Sequence, residues 1–166
     1  MRKRLFVLVL ALLTLCASCG KGTQEEQGEY QLYFTVDGGA VHGSAIETQS
    51  WGPDKGESVD PGVLLQALLA GPAEEGLTSP FPKGLSVRWW EWDPEQPGKV
   101  RIGLSEQYSG LTDISLTLAD YCIVLTLSQL QEVESVEIIS EGHTANYRSH
   151  QTLLPEEAVL ADEAAG

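Results

Sequence analysis

The stretch Leu118–Leu127 constrains the fold more than any other part of the chain. Leu118, Tyr121, Cys122, Ile123, Leu125 and Leu127 leave it almost without a polar stripe. A helix that is apolar nearly all round cannot lie on a surface, so it must be the central helix, buried against a sheet. Ser115 or Thr117 stands where a cap is needed, and Thr117 with Asp120 matches capping-box spacing. The helix is expected to run to about Leu130.

A second helix has clear limits. Asp60 is a favourable N-cap, Pro61 suits the first helical position, and Leu64, Leu65, Leu68 and Leu69 recur on one face. Gly71-Pro72 stops it. Tyr30–Val36 alternates with Tyr30, Leu32 and Phe34 on one face, which predicts a strand, and Ser44–Trp51 is a weaker strand candidate. Residues 74–84 hold Pro80 and Pro82 and should be irregular. Leu85–Trp92 and Lys99–Leu104 read as strands joined by Asp93–Gly98 as a hairpin, and Val133–Ser140 as another strand. A short element can follow near Leu153. The expected class is α+β: a two-layer α/β sandwich, a small mixed sheet with two helices packed on one face.

The first residues have a different purpose. Arg2, Lys3 and Arg4 precede an apolar run of 11 residues, Leu5–Leu15, broken only by Thr14. That is the layout of a secretory signal peptide, and it is short of the ~20 residues a membrane span needs. Cys16-Ala17-Ser18-Cys19 resembles a bacterial lipobox, with Cys16 where leucine is usual. In that reading Cys19 carries the lipid and becomes the mature first residue, anchored by two or three acyl chains. Gly20–Glu29 has no apolar residue and reads as a tether. Only Cys122 then remains, so no internal disulfide is possible and the fold depends on its core. The 137 residues from Tyr30 onward suit one domain.

The net charge is −14, and loss of residues 1–18 leaves 7 cations against 24 acids, or −17. Such a field repels nucleic acid and anionic headgroups. Membrane attachment is therefore expected through lipid on Cys19, on the outer face of the cytoplasmic membrane.

No catalytic constellation is visible. His42, His143 and His150 lack the company of further ligands at metal-site spacing, so solvated histidines are the expectation and no metal or cofactor is implied. Cys122 lies in an apolar run, the opposite of the electropositive setting a nucleophilic thiol needs. Ser79, between Thr78 and Pro80, lacks a nucleophile elbow. Two features invite a partner instead. The Ser79-Pro80-Phe81-Pro82 loop is stiff, which reads first as punctuation between elements and only second as a recognition loop. Trp89, Trp90 and Trp92 sit on one strand, with Trp90 and Trp92 on one face and Trp89 on the other. At least one indole should be partly open, and tryptophan is enriched at interface hot spots. The candidate partner surface is therefore Trp89, Trp90, Trp92, Ser79 and Phe81.

From Leu65 onward the sequence resembles the GerMN domain of sporulation and spore-germination proteins. The matching stretches are Leu68-Leu69-Ala70-Gly71-Pro72, Gly76-Leu77-Thr78-Ser79-Pro80-Phe81-Pro82-Lys83-Gly84, Val100-Arg101-Ile102-Gly103-Leu104-Ser105, Ala119-Asp120-Tyr121 and Thr126-Leu127-Ser128-Gln129-Leu130, with Val133 and Val136. The resemblance implies a fold akin to ring-building modules, which are protein–protein interaction units rather than enzymes. Its implied partners are other envelope or spore proteins, with self-association open. The expected organisation is 1–18 lipoprotein signal peptide, 19–29 tether, 30–155 a single GerMN-like domain and 156–166 an acidic tail. The expected function is a membrane-anchored, non-enzymatic interaction lipoprotein in sporulation, germination or envelope assembly. The alternative is a lipoprotein that binds a small molecule or glycan.

Overall fold

A computed structural model of the chain describes residues 29–37, 44–141 and 150–153. The expected signal peptide, Cys19, most of the tether, His42, His143 and the acidic tail lie outside the described residues.

Among the described residues, two sheets and two α-helices form the domain. Strand β1 (Tyr30–Val36) pairs antiparallel with β2 (Ile46–Trp51) along Tyr30↔Trp51 to Thr35↔Ile46. On its other side it pairs with the two-residue β3 (Leu77–Thr78), so the order is β2-β1-β3. The second sheet has the order β4-β5-β6-β7. Here β4 (Val87–Trp92) and β5 (Lys99–Leu104) form the expected antiparallel hairpin, β5 runs parallel to β6 (Ser135–Ser140), and β7 (His150–Leu153) returns antiparallel. The parallel step requires a crossover, and helix α2 (Asp113–Leu127) supplies it.

The mixed sheet expected as one unit is thus two, and helix α2 is the reason. Beyond β3, the free edge of β1 meets side chains of and just past α2 instead of another strand. Gln31 N–H donates to Gln129 Oε1 at 2.7 Å, Gln129 Nε2 donates back to Gln31 C=O at 2.5 Å, and Tyr33 N–H donates to Thr126 Oγ1 at 3.2 Å. These amides need partners as ladder amides do, and polar side chains inside an apolar helix provide them. Thr126 is fully buried for this purpose.

Helix α1 (Pro61–Leu69) begins as expected: Asp60 accepts from Val63 N–H at 2.9 Å, and Pro61 occupies the first position. It ends before Gly71, whose φ of +87° only glycine adopts freely. The start of α2 differs from expectation. Its cap is Thr112, not Ser115 or Thr117, and the box closes through Ser115, whose Oγ accepts the Thr112 N–H at 3.2 Å. Thr117 lies inside the helix and donates to Asp113 C=O at 3.2 Å. Asp120 is withdrawn into the interior, where the Tyr108 hydroxyl binds it. The short 3-10 turn Glu106–Gly110 brings Tyr108 there.

The core is continuous across these layers. Leu32 and Phe34 of β1, Leu64, Leu65 and Leu68 of α1, Ile123, Val124 and Leu127 of α2, and Val100, Ile102, Leu104 and Val136 of the second sheet are all essentially inaccessible. Each such side chain contributes roughly 1.5–3 kcal/mol by leaving water. One end of the domain gathers the start of β1, the end of β2, the hairpin between β4 and β5, and the Gln129–Glu134 turn after α2. It is the end at which the chain enters from Glu29.

Candidate partner surface

The three tryptophans of β4 meet three different environments. Trp90 points inward; its indole packs so closely on α1 that a Cβ at Gly62 would overlap it. Trp92 shares that face but stands beyond α1, at the hairpin end, and is 39% exposed. The two rings meet edge to face, 6.5 Å apart at 86°, a favoured aromatic arrangement. Trp89 lies on the opposite face, flat against Gly103 of β5, and a side chain at Gly103 would collide with it. The Arg101 guanidinium carbon is 5.8 Å from the Trp89 ring centre, within cation–π reach.

That outer face carries an ion network the sequence did not reveal. Arg101 bonds Glu137 at 2.7 Å and Glu91 at 2.5 Å, and Lys99 reaches Glu137 at 3.2 Å and Asp93 at 3.4 Å. Lys99 and Glu137 are nearly buried. Burial pushes the Glu137 carboxyl up, but the bonds from Arg101 and Lys99 outweigh it and hold the group below the usual range. The backbone N–H of Glu95 lowers Asp93, with help from Gln96 N–H and Lys99 against the effect of burial. Bonding to Glu137 raises Arg101. The face is therefore rigid and internally compensated. Alternation along β5 places Lys99 and Arg101 together, but only the β5–β6 register puts Glu137 between them.

Ser79 and Phe81 sit elsewhere, in the loop that leaves β3 on the other sheet. Ser79 is exposed, with its Oγ accepting Phe81 N–H at 3.3 Å, while Phe81 packs partly into the core. The tryptophans and this loop are thus not one cluster.

Two shallow hollows open at the end where the chain enters. One, of about 600 Å³, is lined by Glu29, Tyr30, Val59 and residues 129–132. The other, of about 370 Å³, is lined by Trp92, Asp93, Pro97, Gly98 and again Glu132.

Buried titratable groups are set apart from all this. Tyr108 donates a short hydrogen bond to Asp120, and both are about 3% exposed. Burial pushes Asp120 up to about 6, with the Tyr108 bond partly opposing, and burial and Asp120 raise the Tyr108 phenol. A pair sealed in this way gives a proton no route to a substrate. Burial also pushes the Cys122 thiol up to about 12, which makes it a packing group. Among the described residues no three His, Cys, Asp or Glu side chains are placed to hold a metal, and no helix is long and apolar enough to cross a membrane.

The sequence matches a family model, Germane, described as sporulation and spore germination, over residues 31–146. Among solved structures, the tandem GerMN domains of the sporulation protein GerM from Bacillus subtilis overlay with a TM-score of 0.54 at 18% identity, covering 76% of this chain and 44% of that one. The first GerMN domain of that protein overlays at 0.52 with 17% identity, covering 71% and 86%. A lipoprotein candidate from Clostridium perfringens reaches 0.48 with 19% identity, covering 78% of this chain and 89% of that one. None of the curated proteins matches the sequence. The likeness to the Bacillus domains is one of fold, and the chain spans less than half the length of the tandem pair.

Proposed function

From a chain that belongs to the Germane family of sporulation and spore germination proteins, we propose a lipid-anchored, extracytoplasmic interaction module that works without catalysis. Its role is to hold a partner protein at the outer face of the membrane during sporulation, germination or envelope assembly. The observation that carries this reading is Trp92, a large indole left 39% exposed at the hairpin end of β4 and lining one of the two hollows. Large exposed aromatics on rigid supports are typical anchors for protein partners. Trp90 and the hairpin supply that support.

Crosslinking in the native membrane tests it. Spore or envelope proteins should be attached to the wild-type chain, and Trp92→Ala should lose most of that yield while Tm moves by no more than about 3 °C. Unchanged yield in Trp92→Ala overturns the reading. Cys19→Ser tests the anchor separately: the protein should appear in the medium, and continued membrane retention rules the lipid out.

A second reading, capture of a glycan, draws on Trp89. Its ring is flat on the sheet with Arg101 and Glu91 beside it, a setting in which a sugar can stack and hydrogen-bond. Recovery of sugar-processing proteins alone in the crosslinking experiment favours it.

A further inference from the structure

We propose that the groove formed by the two hollows at the chain-entry end is a docking site for a cationic, extended segment of a partner protein. The proposal rests on the anchored interaction reading and names the chemistry of the partner.

The two hollows meet at Glu132, which lines both. Tyr30, Val59 and Leu130 give one side an apolar wall. Trp92 and Pro97 give the other side one. A polar trough with these apolar wall segments takes amphipathic extended side chains, and its rim decides their charge. Glu29 and Glu132 stand on that rim without a salt bridge or hydrogen bond among the described residues. The nearby cations cannot neutralise them, because Lys99 and Arg101 are already committed to Asp93, Glu137 and Glu91. Asp93 spends its own carboxylate on Lys99 and on the N–H groups of Glu95 and Gln96. Among the described residues the groove therefore presents unpaired negative charge beside an open indole. Lysine and arginine side chains satisfy both, pairing with the carboxylates and lying against Trp92. An acidic or nucleic-acid partner is repelled.

The test is a ¹H–¹⁵N NMR titration of the protein with the peptide acetyl-Lys-Leu-Lys-Leu-Lys-amide and, separately, with acetyl-Glu-Leu-Glu-Leu-Glu-amide. The cationic peptide should give saturable shifts at the Trp92 indole N–H and at the Tyr30 and Glu132 amides; the acidic peptide should give none. Trp92→Ala, which leaves the charge unchanged, and Glu132→Gln, an exposed change that leaves the core intact, should each weaken binding about fivefold or more. Shifts spread over the whole surface, or unaffected by either variant, show mere attraction to an anionic protein and overturn the proposal. A photo-crosslinking residue at position 92 and another at position 89, used in the native membrane, separate the two levels. Adducts from 92 that map to a lysine- or arginine-rich segment support the groove. Adducts from 92 that map to a segment poor in lysine and arginine overturn it and spare the interaction reading, and adducts from 89 alone or from neither overturn both.

Discussion

Replacing Asp120 by asparagine should stabilise the protein at neutral pH relative to its stability in acid. Asp120 is about 3% exposed, and its carboxylate meets the Tyr108 hydroxyl. Burial lifts its pKa from 3.8 to about 6 against the opposing effect of that bond. Between those values the folded protein holds a proton that the unfolded chain has released. Stability from this group is therefore fully present below pH ~4 and is lost as pH rises toward 6 and beyond. At 1.36 kcal/mol per pKa unit the loss amounts to ~3 kcal/mol by pH ~7.5. Asparagine keeps an oxygen for the Tyr108 hydroxyl to donate to but carries no charge. The unfolding free energy of Asp120→Asn minus that of the wild type should thus rise by ~3 kcal/mol between pH ~3.5 and ~7.5. Any fixed cost of fitting the amide cancels in that difference, as do Glu137 and Asp93, which titrate alike in both proteins. Urea denaturation followed by circular dichroism across this range, at constant ionic strength, measures it. A difference that stays flat to within ~0.5 kcal/mol refutes the reasoning.

Other outcomes follow from the same contacts. Gly62→Ala gains ~1 kcal/mol of helix propensity yet should lower Tm, because its Cβ overlaps the Trp90 indole and overpacking costs ~1–3 kcal/mol; thermal denaturation decides the sign. Gly103→Ala should likewise destabilise by displacing Trp89, visible as a changed near-ultraviolet dichroism signal. Glu137→Gln leaves Lys99 and Arg101 short of a partner and should cost ~2 kcal/mol at neutral pH. Because the folded pKa of Glu137 is depressed, its contribution is present above pH ~4.3 and fades as pH falls below it, so the gap between wild type and variant should narrow in acid. Cys122, buried and pushed up to about 12, should resist iodoacetamide at pH ~8 until the protein unfolds, as mass spectrometry of the labelled peptide will show.

Much of the architecture was legible because its signals are local. Asp60-Pro61 and Gly71 mark α1 through hydrogen bonding and backbone freedom that depend on near neighbours alone. The apolar run of α2 announced its burial in the same way, and alternation separated Trp89 from Trp90 and Trp92. The resemblance to GerMN domains rested on the order of such local pieces, and the match over residues 31–146 bears it out. The cap of α2 was misplaced because Thr112, Ser115 and Thr117 all carry suitable hydroxyls. The choice among them fell to the 3-10 turn that delivers Tyr108 to Asp120.

The sequence by itself determined the two helices and the longer strands, the capping chemistry at α1, the single cysteine from Tyr30 onward and the family, but not β3, which lies within residues expected to be irregular, nor the 3-10 turn Glu106–Gly110. Tertiary structure alone decided that α2 would close the edge of β1 and so divide the strands into two sheets. It decided that Glu137 would stand between Lys99 and Arg101, and that Trp92 rather than Trp90 would face solvent. The physical reason is range. Caps and periodicity are settled within a few residues, whereas register and exposure depend on which distant segment arrives alongside, and that choice belongs to the packing of the whole core.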